Sequence, residues 1–386
     1  MKIKKLLSAC AVSAAVLSTA AAYEATAKVT MEGSIVKESK QKDADANYEV
    51  FALDAVEDHS KNGIEIDVDA GLAGAHFELF FELTGTSKAE DGWNASARNT
   101  YLWFKPVDEL NVRLGYVGID DFFVERVDEE KVANPFAFAD RAADKVPFYI
   151  TNADVDEMGF SLAYTPFEEL TVSAAIAPGI GSSGISKQGD ADTVYAPWGI
   201  TARYNLDAFT FEASFRDNGK DSWKTARIGA GYESDNLYAF IQPVFGIDYI
   251  ASKDKYEMNG TAIDLYAEYT LDALKLTGHL PVTVRTTGND TDPSYLEFLA
   301  KAEYNLGTYG LLDEVTPYVF VKSMDGTAVT LDDNLSDSLA LTVQGGSAFK
   351  IGEANIDIGA RIDVHTKADT SERVTWSVPF SASIEF

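Results

Sequence analysis

Cysteine is almost absent. Cys10 is the only one, which excludes an internal disulfide and any cysteine metal site. Histidine is scarce: His59, His76, His279 and His365 complete the set. Only His279 and His365 fall on polar strand faces. No serine or carboxylate is spaced to either as a catalytic triad requires, so an enzyme is not expected. Beyond residue 22 no stretch approaches the ~18 consecutive apolar residues of a membrane-spanning helix. Positive charge is also short: 32 Lys and Arg against 61 Asp and Glu give a net charge of −29. A surface so acidic argues against nucleic acid or anionic lipid as a partner. Aromatic residues are not lacking, and at 12% they exclude a disordered chain.

The N-terminus carries Lys2, Lys4 and Lys5, followed by an uncharged Ala, Leu and Val-rich run over 6–22. Small-residue cleavage patterns stand at Ala20-Ala21-Ala22 and at Ala25-Thr26-Ala27. This is the pattern of a secretory signal peptide, 1–22, with 1–27 as the alternative, and 23–386 is left as one domain. Leu7-Ser8-Ala9-Cys10 mimics a lipoprotein cleavage box, but only about four uncharged residues precede Cys10, short of the ~7–15 an apolar signal core needs. An exported chain without a helical anchor is periplasmic, secreted or a barrel.

What the chain does have is alternation. In 374–386, Val374, Trp376, Val378, Phe380, Ala382, Ile384 and Phe386 form one apolar stripe, with polar residues and Pro379 between them. Residues 64–72, 263–269 and 356–365 alternate in the same way, the signature of strands with one apolar face. A hairpin theme recurs at 102–114, 162–172, 202–211 and 267–276: a strand ending in an aromatic, a tight turn, then another strand. Looser copies surround 305–317 and 350–355. Longer polar connections lie between them, at 84–96, 177–196, 252–260, 286–293 and 323–337.

Aromatic placement separates a membrane barrel from a soluble sandwich. Phe104, Tyr164, Tyr204, Tyr269 and Tyr304 sit on apolar faces just before turns, as one interfacial girdle would. Tyr116, Trp198, Phe215, Tyr249 and Trp376 lie near the opposite strand ends. Counting back from the last strand puts the tight turns on the periplasmic side. About nineteen candidate strands appear, but a barrel with both termini on one side needs an even number. The expectation is a transmembrane antiparallel up-and-down β-barrel of about 18 strands, with 16 as the alternative. Either residues 28–37 are the surplus or one strand near the N-terminus is misread. Barrels of that size leave a water-filled channel.

So read, the chain resembles bacterial outer-membrane porins over nearly all of 23–386. The signal peptide, hairpin rhythm, girdles and terminal Phe386 carry the resemblance. It implies passive diffusion of small hydrophilic solutes across the bacterial outer membrane, commonly by a homotrimer. It also implies a last strand, with Trp376, Ile384 and Phe386, that the barrel-assembly machinery reads. No cofactor or metal is implied.

The long connection 119–156 holds Asp120, Asp121 and Glu125, and by position resembles the constriction loop that folds into general porins. Inward-phase Arg113, Arg203, Arg216 and Arg227 would face it, setting a transverse field. Wall acids in phase include Glu65, Asp67, Asp69, Glu78, Glu82, Glu212, Asp264, Glu268, Glu297, Glu303, Asp357 and Asp363. They outnumber the inward bases, which add Lys275, Arg285, Lys301, Lys322 and Arg361, so a cation preference is expected. Tyr101 and Trp103 on a polar face would suit a sugar-specific channel instead. A surface-binding adhesin with a closed lumen is the alternative of another class. Gly179-Ile-Gly-Ser-Ser-Gly184 imitates a dinucleotide fingerprint without a following helix, and Asn289-Asp-Thr-Asp-Pro293 imitates a calcium loop without its glycine.

Overall fold

The structure is a computed structural model that describes residues 24–41, 47–53, 63–83, 93–117, 157–176, 198–217, 224–250, 253–285, 295–296, 298–323, 329–330, 340–365 and 373–385. Among these no α-helix occurs, and no helix is long and apolar enough to cross a membrane. The described residues build a closed antiparallel barrel of 18 strands.

In order these are β1 (Glu24–Gln41), β2 (Asn47–Leu53 continued by Gly63–Asp69), β3 (Ala73–Leu83), β4 (Trp93–Val107), β5 (Leu110–Val117) and β6 (Glu157–Phe167). Next come β7 (Leu170–Ile176), β8 (Trp198–Leu206), β9 (Phe209–Asp217), β10 (Lys224–Glu233), β11 (Leu237–Ile250) and β12 (Lys255–Leu271). The last six are β13 (Leu274–His279 and Val282–Arg285), β14 (Tyr295–Leu296 and Leu299–Tyr304), β15 (Glu314–Ser323 and Val329–Thr330), β16 (Ala340–Ile351), β17 (Ala354–His365) and β18 (Arg373–Glu385). Each pairs with its sequence neighbours, and β1 pairs with β18 to close the ring.

Residues 28–37 are therefore not surplus. They lie in β1, where Lys28 faces Glu385 and Lys37 faces Ser377 across the seam. The register slips between Ser34 and Lys37, a β-bulge that reverses which residues face inward. Met31 is exposed before the slip and Ser34 is buried, while Lys37 lies opposite inward Ser377 after it. The change of phase breaks the alternation, which is why the segment does not read as one strand. Three expected loops are also shorter: β12 begins at Lys255, β4 at Trp93, and the connection 323–337 holds the β15 residues Val329–Thr330.

Turns 70–72, 108–109, 168–169, 207–208, 234–236, 272–273, 305–313 and 352–353 all lie at the end that carries the start of β1 and the end of β18. Two of them repeat one solution. Leu206 pairs with Phe209, and Leu271 with Leu274, around Asp207 and Asp272, each at φ 51°. Such hairpins need a positive φ at the first central residue, which Asp tolerates. The expected girdle beside these turns is present, with Phe104, Tyr164, Tyr204, Tyr269 and Tyr304 all exposed on the outer face. At the opposite end Trp198 and Phe215 pack with centroids 5.5 Å apart, and Trp376 is exposed.

Candidate pore lining

The two faces of the wall differ as the alternation demands. On β11, Ile241 is exposed outward while Tyr238, Phe240, Gln242 and Val244 are buried inward. On β10, Ile228 is 60% exposed and its neighbour Arg227 is 3% exposed. An outer face of exposed Ile, Val, Leu, Phe and Tyr suits lipid, and the inner face carries the charge.

The inner wall of β2–β6 holds the first group. Asp67 on β2 lies opposite His76 on β3, and Asp67 Oδ1 is 2.8 Å from His76 Nδ1. The His76 ring stacks on Tyr101 of β4, centroids 4.9 Å apart and 16° from parallel. Arg113 of β5 lies 4.9 Å from the centre of the same Tyr101 ring, a cation–π distance. Trp103 follows on the same face, with Lys105 Nζ 5.3 Å from its ring. Trp103 lies so close over Gly74 that a methyl there would come 2.5 Å from the indole. His76 thus joins the lumen, which the sequence reading did not assign to it. It has the phase of Glu78 on β3, and outward Phe77 between them is exposed. That shared phase was the available signal.

The four inward arginines do not gather at one level. Arg113 and Arg203 lie toward the turn end, opposite Ser161 and Thr171. Arg227 lies at mid-strand opposite Ser214, and Arg216 nearer the loop end opposite Thr225. Arg203 Nε donates to Glu212 Oε2 at 3.1 Å, and the Glu212 side chain is 1% exposed. Asp217 and Lys224 pair across β9 and β10.

Several wall acids are engaged with neighbouring side chains. Asp264 of β12 bonds His279 of β13 at 2.6 Å, with both side chains buried. Glu268 accepts the Tyr266 hydroxyl at 2.7 Å and pairs with Lys275 at 3.1 Å. Tyr266 stacks on Phe240 with Tyr238 edge-on, an aromatic cluster on the inner side of β11 and β12. Alternation puts Tyr266 on the polar face of β12 with Asp264 and Glu268, but its contacts with Phe240 and Tyr238 depend on the register between β11 and β12.

On β15–β17 the wall is a polar network around Tyr318. Its hydroxyl donates to Asp357 at 2.7 Å and accepts from Gln344 Nε2 at 2.7 Å. Lys301 lies 5.4 Å from the Tyr318 ring and 2.6 Å from Glu303. Arg361 Nε bonds both Asp363 oxygens, at 2.9 and 3.0 Å.

Asp120, Asp121 and Glu125, with the whole connection 119–156, lie outside the described residues. So do the segments 1–22, 179–184 and 289–293, His59, Glu297, Phe386 and the side chain of Glu82. Glu65, Asp67, Asp69 and Glu78 all lie on the inward phase of β2 and β3. Ile384 and Trp376 are exposed on the outer phase of β18.

Fold and wall together define a membrane-spanning β-barrel of the bacterial outer-membrane type. No family model matches the chain, and no curated protein sequence does. Solved structures do. A BenF-like porin from Pseudomonas fluorescens Pf-5 is similar at 9% identity, covering 94% of this chain and 98% of that one, with a TM-score of 0.55. OccAB3 of Acinetobacter baumannii is similar at 10% identity, with 95% and 100% covered and a TM-score of 0.54. The outer membrane protein opdK from Pseudomonas aeruginosa is similar at 9%, with 94% and 99% covered and a TM-score of 0.53. At such identities the likeness establishes the fold.

Proposed function

We propose that this chain is an outer-membrane porin, a water-filled channel for passive diffusion of small hydrophilic solutes and ions that prefers cations. One observation carries the reading: a closed barrel of 18 strands whose inner phase is charged and whose outer phase is apolar. Barrels of 16–18 strands leave an aqueous channel, whereas eight-stranded ones fill with side chains. The porin names of similar structures support it. The cation preference rests on the excess of wall acids over bases. In the same reading, connection 119–156 folds inward and Asp120, Asp121 and Glu125 oppose the wall arginines. A homotrimer and recognition of β18 by the barrel-assembly machinery complete it.

Single-channel recording in planar bilayers tests the proposal. Folded, heat-modifiable protein should conduct, and a KCl gradient should give a reversal potential on the cation side. Folded protein without conductance would sink the channel and favour the closed adhesin. An anion-side potential would mean that Arg113, Arg203, Arg216 and Arg227 dominate the field.

A sugar-specific channel is the second reading. The inward row of His76, Tyr101, Trp103 and Arg113 favours it, because flat rings beside hydrogen-bonding groups suit sugar stacking. Current blocked by sugars, and unblocked in Trp103→Ala, would select it.

A further inference from the structure

We propose that Glu65, Asp67 and His76 form a binding site for a divalent transition-metal ion such as zinc on the inner wall near the turn end of the barrel. One ligand atom from each of the three lies within 4.8 Å of the other two. The strand geometry produces this. Glu65 and Asp67 alternate onto one face of β2, and His76 is the cross-strand partner of Asp67. Asp67 Oδ1 and His76 Nδ1 are 2.8 Å apart, close to the ~3.3 Å between ligand atoms in a tetrahedral zinc site.

The donor set selects the metal. One imidazole with two carboxylates suits zinc, nickel, copper or iron, whereas calcium and magnesium favour all-oxygen shells. The surroundings suit a site with exchangeable positions. The Tyr101 ring, stacked on His76 at 4.9 Å, fixes the imidazole plane. The His76 side chain is only 11% exposed, while that of Asp67 is 50% exposed. The ion thus has a held ligand on one side and an open approach on the other, with room for water to fill its shell. Nothing in this argument depends on conduction, so a barrel that conducts and binds no zinc would sink this site alone.

The test is calorimetric titration of zinc into refolded, chelator-treated full chain in detergent. One saturable equivalent per chain is expected. His76→Ala should abolish it, and His76→Gln, which keeps bulk and hydrogen bonding, should do the same if the alanine variant folds poorly. Asp67→Asn should weaken it by at least about tenfold, the lower bound for disturbing a metal's supporting shell. Calcium should not compete at equal concentration. Absence of saturable binding overturns the proposal. So does zinc affinity unchanged in both His76 variants, or displacement by calcium, which would mark an undifferentiated carboxylate cluster.

Discussion

Pro379 of the last strand lies opposite Ser34 of the first, at the point where the seam slips by one residue. Proline has no N–H to give to a ladder, so it belongs at an edge or a bulge. The bulge between Ser34 and Lys37 supplies that place in the one ladder that joins the two ends of the barrel.

The bulge also sets which side chains of β1 meet lipid. Deleting Ile35 would make the ladder continuous and turn one half of β1 inside out, because a one-residue shift moves every side chain to the other face. Either Met31 and Val29 would turn to the lumen, or Lys37 would turn to lipid. The expected outcome is loss of the compact, heat-modifiable band in semi-native electrophoresis. Pro379→Val should keep that band, since the register is fixed by the inserted residue in β1.

Gly346 and Gly359 make room for Tyr318. A methyl at Gly346 would meet the Ile358 carbonyl at 2.6 Å and the Tyr318 hydroxyl at 2.7 Å. Gly346→Ala therefore displaces the ring and breaks its bonds to Asp357 and Gln344. Overpacking of this kind costs about 1–3 kcal/mol. The urea midpoint of refolded protein should fall accordingly. Gly278→Ala, where a methyl meets nothing within 4 Å, is the comparison that should leave it in place.

Much of this architecture could be read from residue order. The hairpins around Asp207 and Asp272, the girdle tyrosines and the side on which the turns lie follow from local spacing. The seam could not be read, because the bulge at Ser34 breaks the period on which a strand is recognised. The lining was legible in phase and not in pairing. Alternation along one strand gives the phase of Glu212, Asp264 and Glu268, but their partners Arg203, His279 and Lys275 are fixed by register across strands. His76 was missed for the same reason, since its meaning comes from Asp67 across the ladder and Tyr101 beside it.

The Asp264–His279 pair should be among the most sensitive points of the wall. Both side chains are buried and 2.6 Å apart. His279→Ala removes the partner and leaves a buried acceptor unsatisfied, a loss of about 1–3 kcal/mol and more for a charged group. Asp264→Asn keeps an acceptor oxygen for the imidazole and should cost less. Equal shifts of the urea midpoint in the two variants would contradict the pairing.

Ile228 offers the sharpest test of what surrounds the barrel. It faces outward at mid-strand, paired with Ala213, and is 60% exposed. If that face meets water, Ile228→Arg should be neutral or should improve solubility. If it meets hydrocarbon, an arginine near the midplane costs about 2–4 kcal/mol, while near the interface the cost falls to about 0–1 kcal/mol. Leu206→Arg, beside the turn at Asp207 and also exposed, supplies the interfacial comparison. Folding titrations into lipid vesicles should separate the two variants by the difference between those costs. The separation should disappear in a detergent whose micelle adapts to the charge, because the penalty belongs to the bilayer and not to packing within the wall.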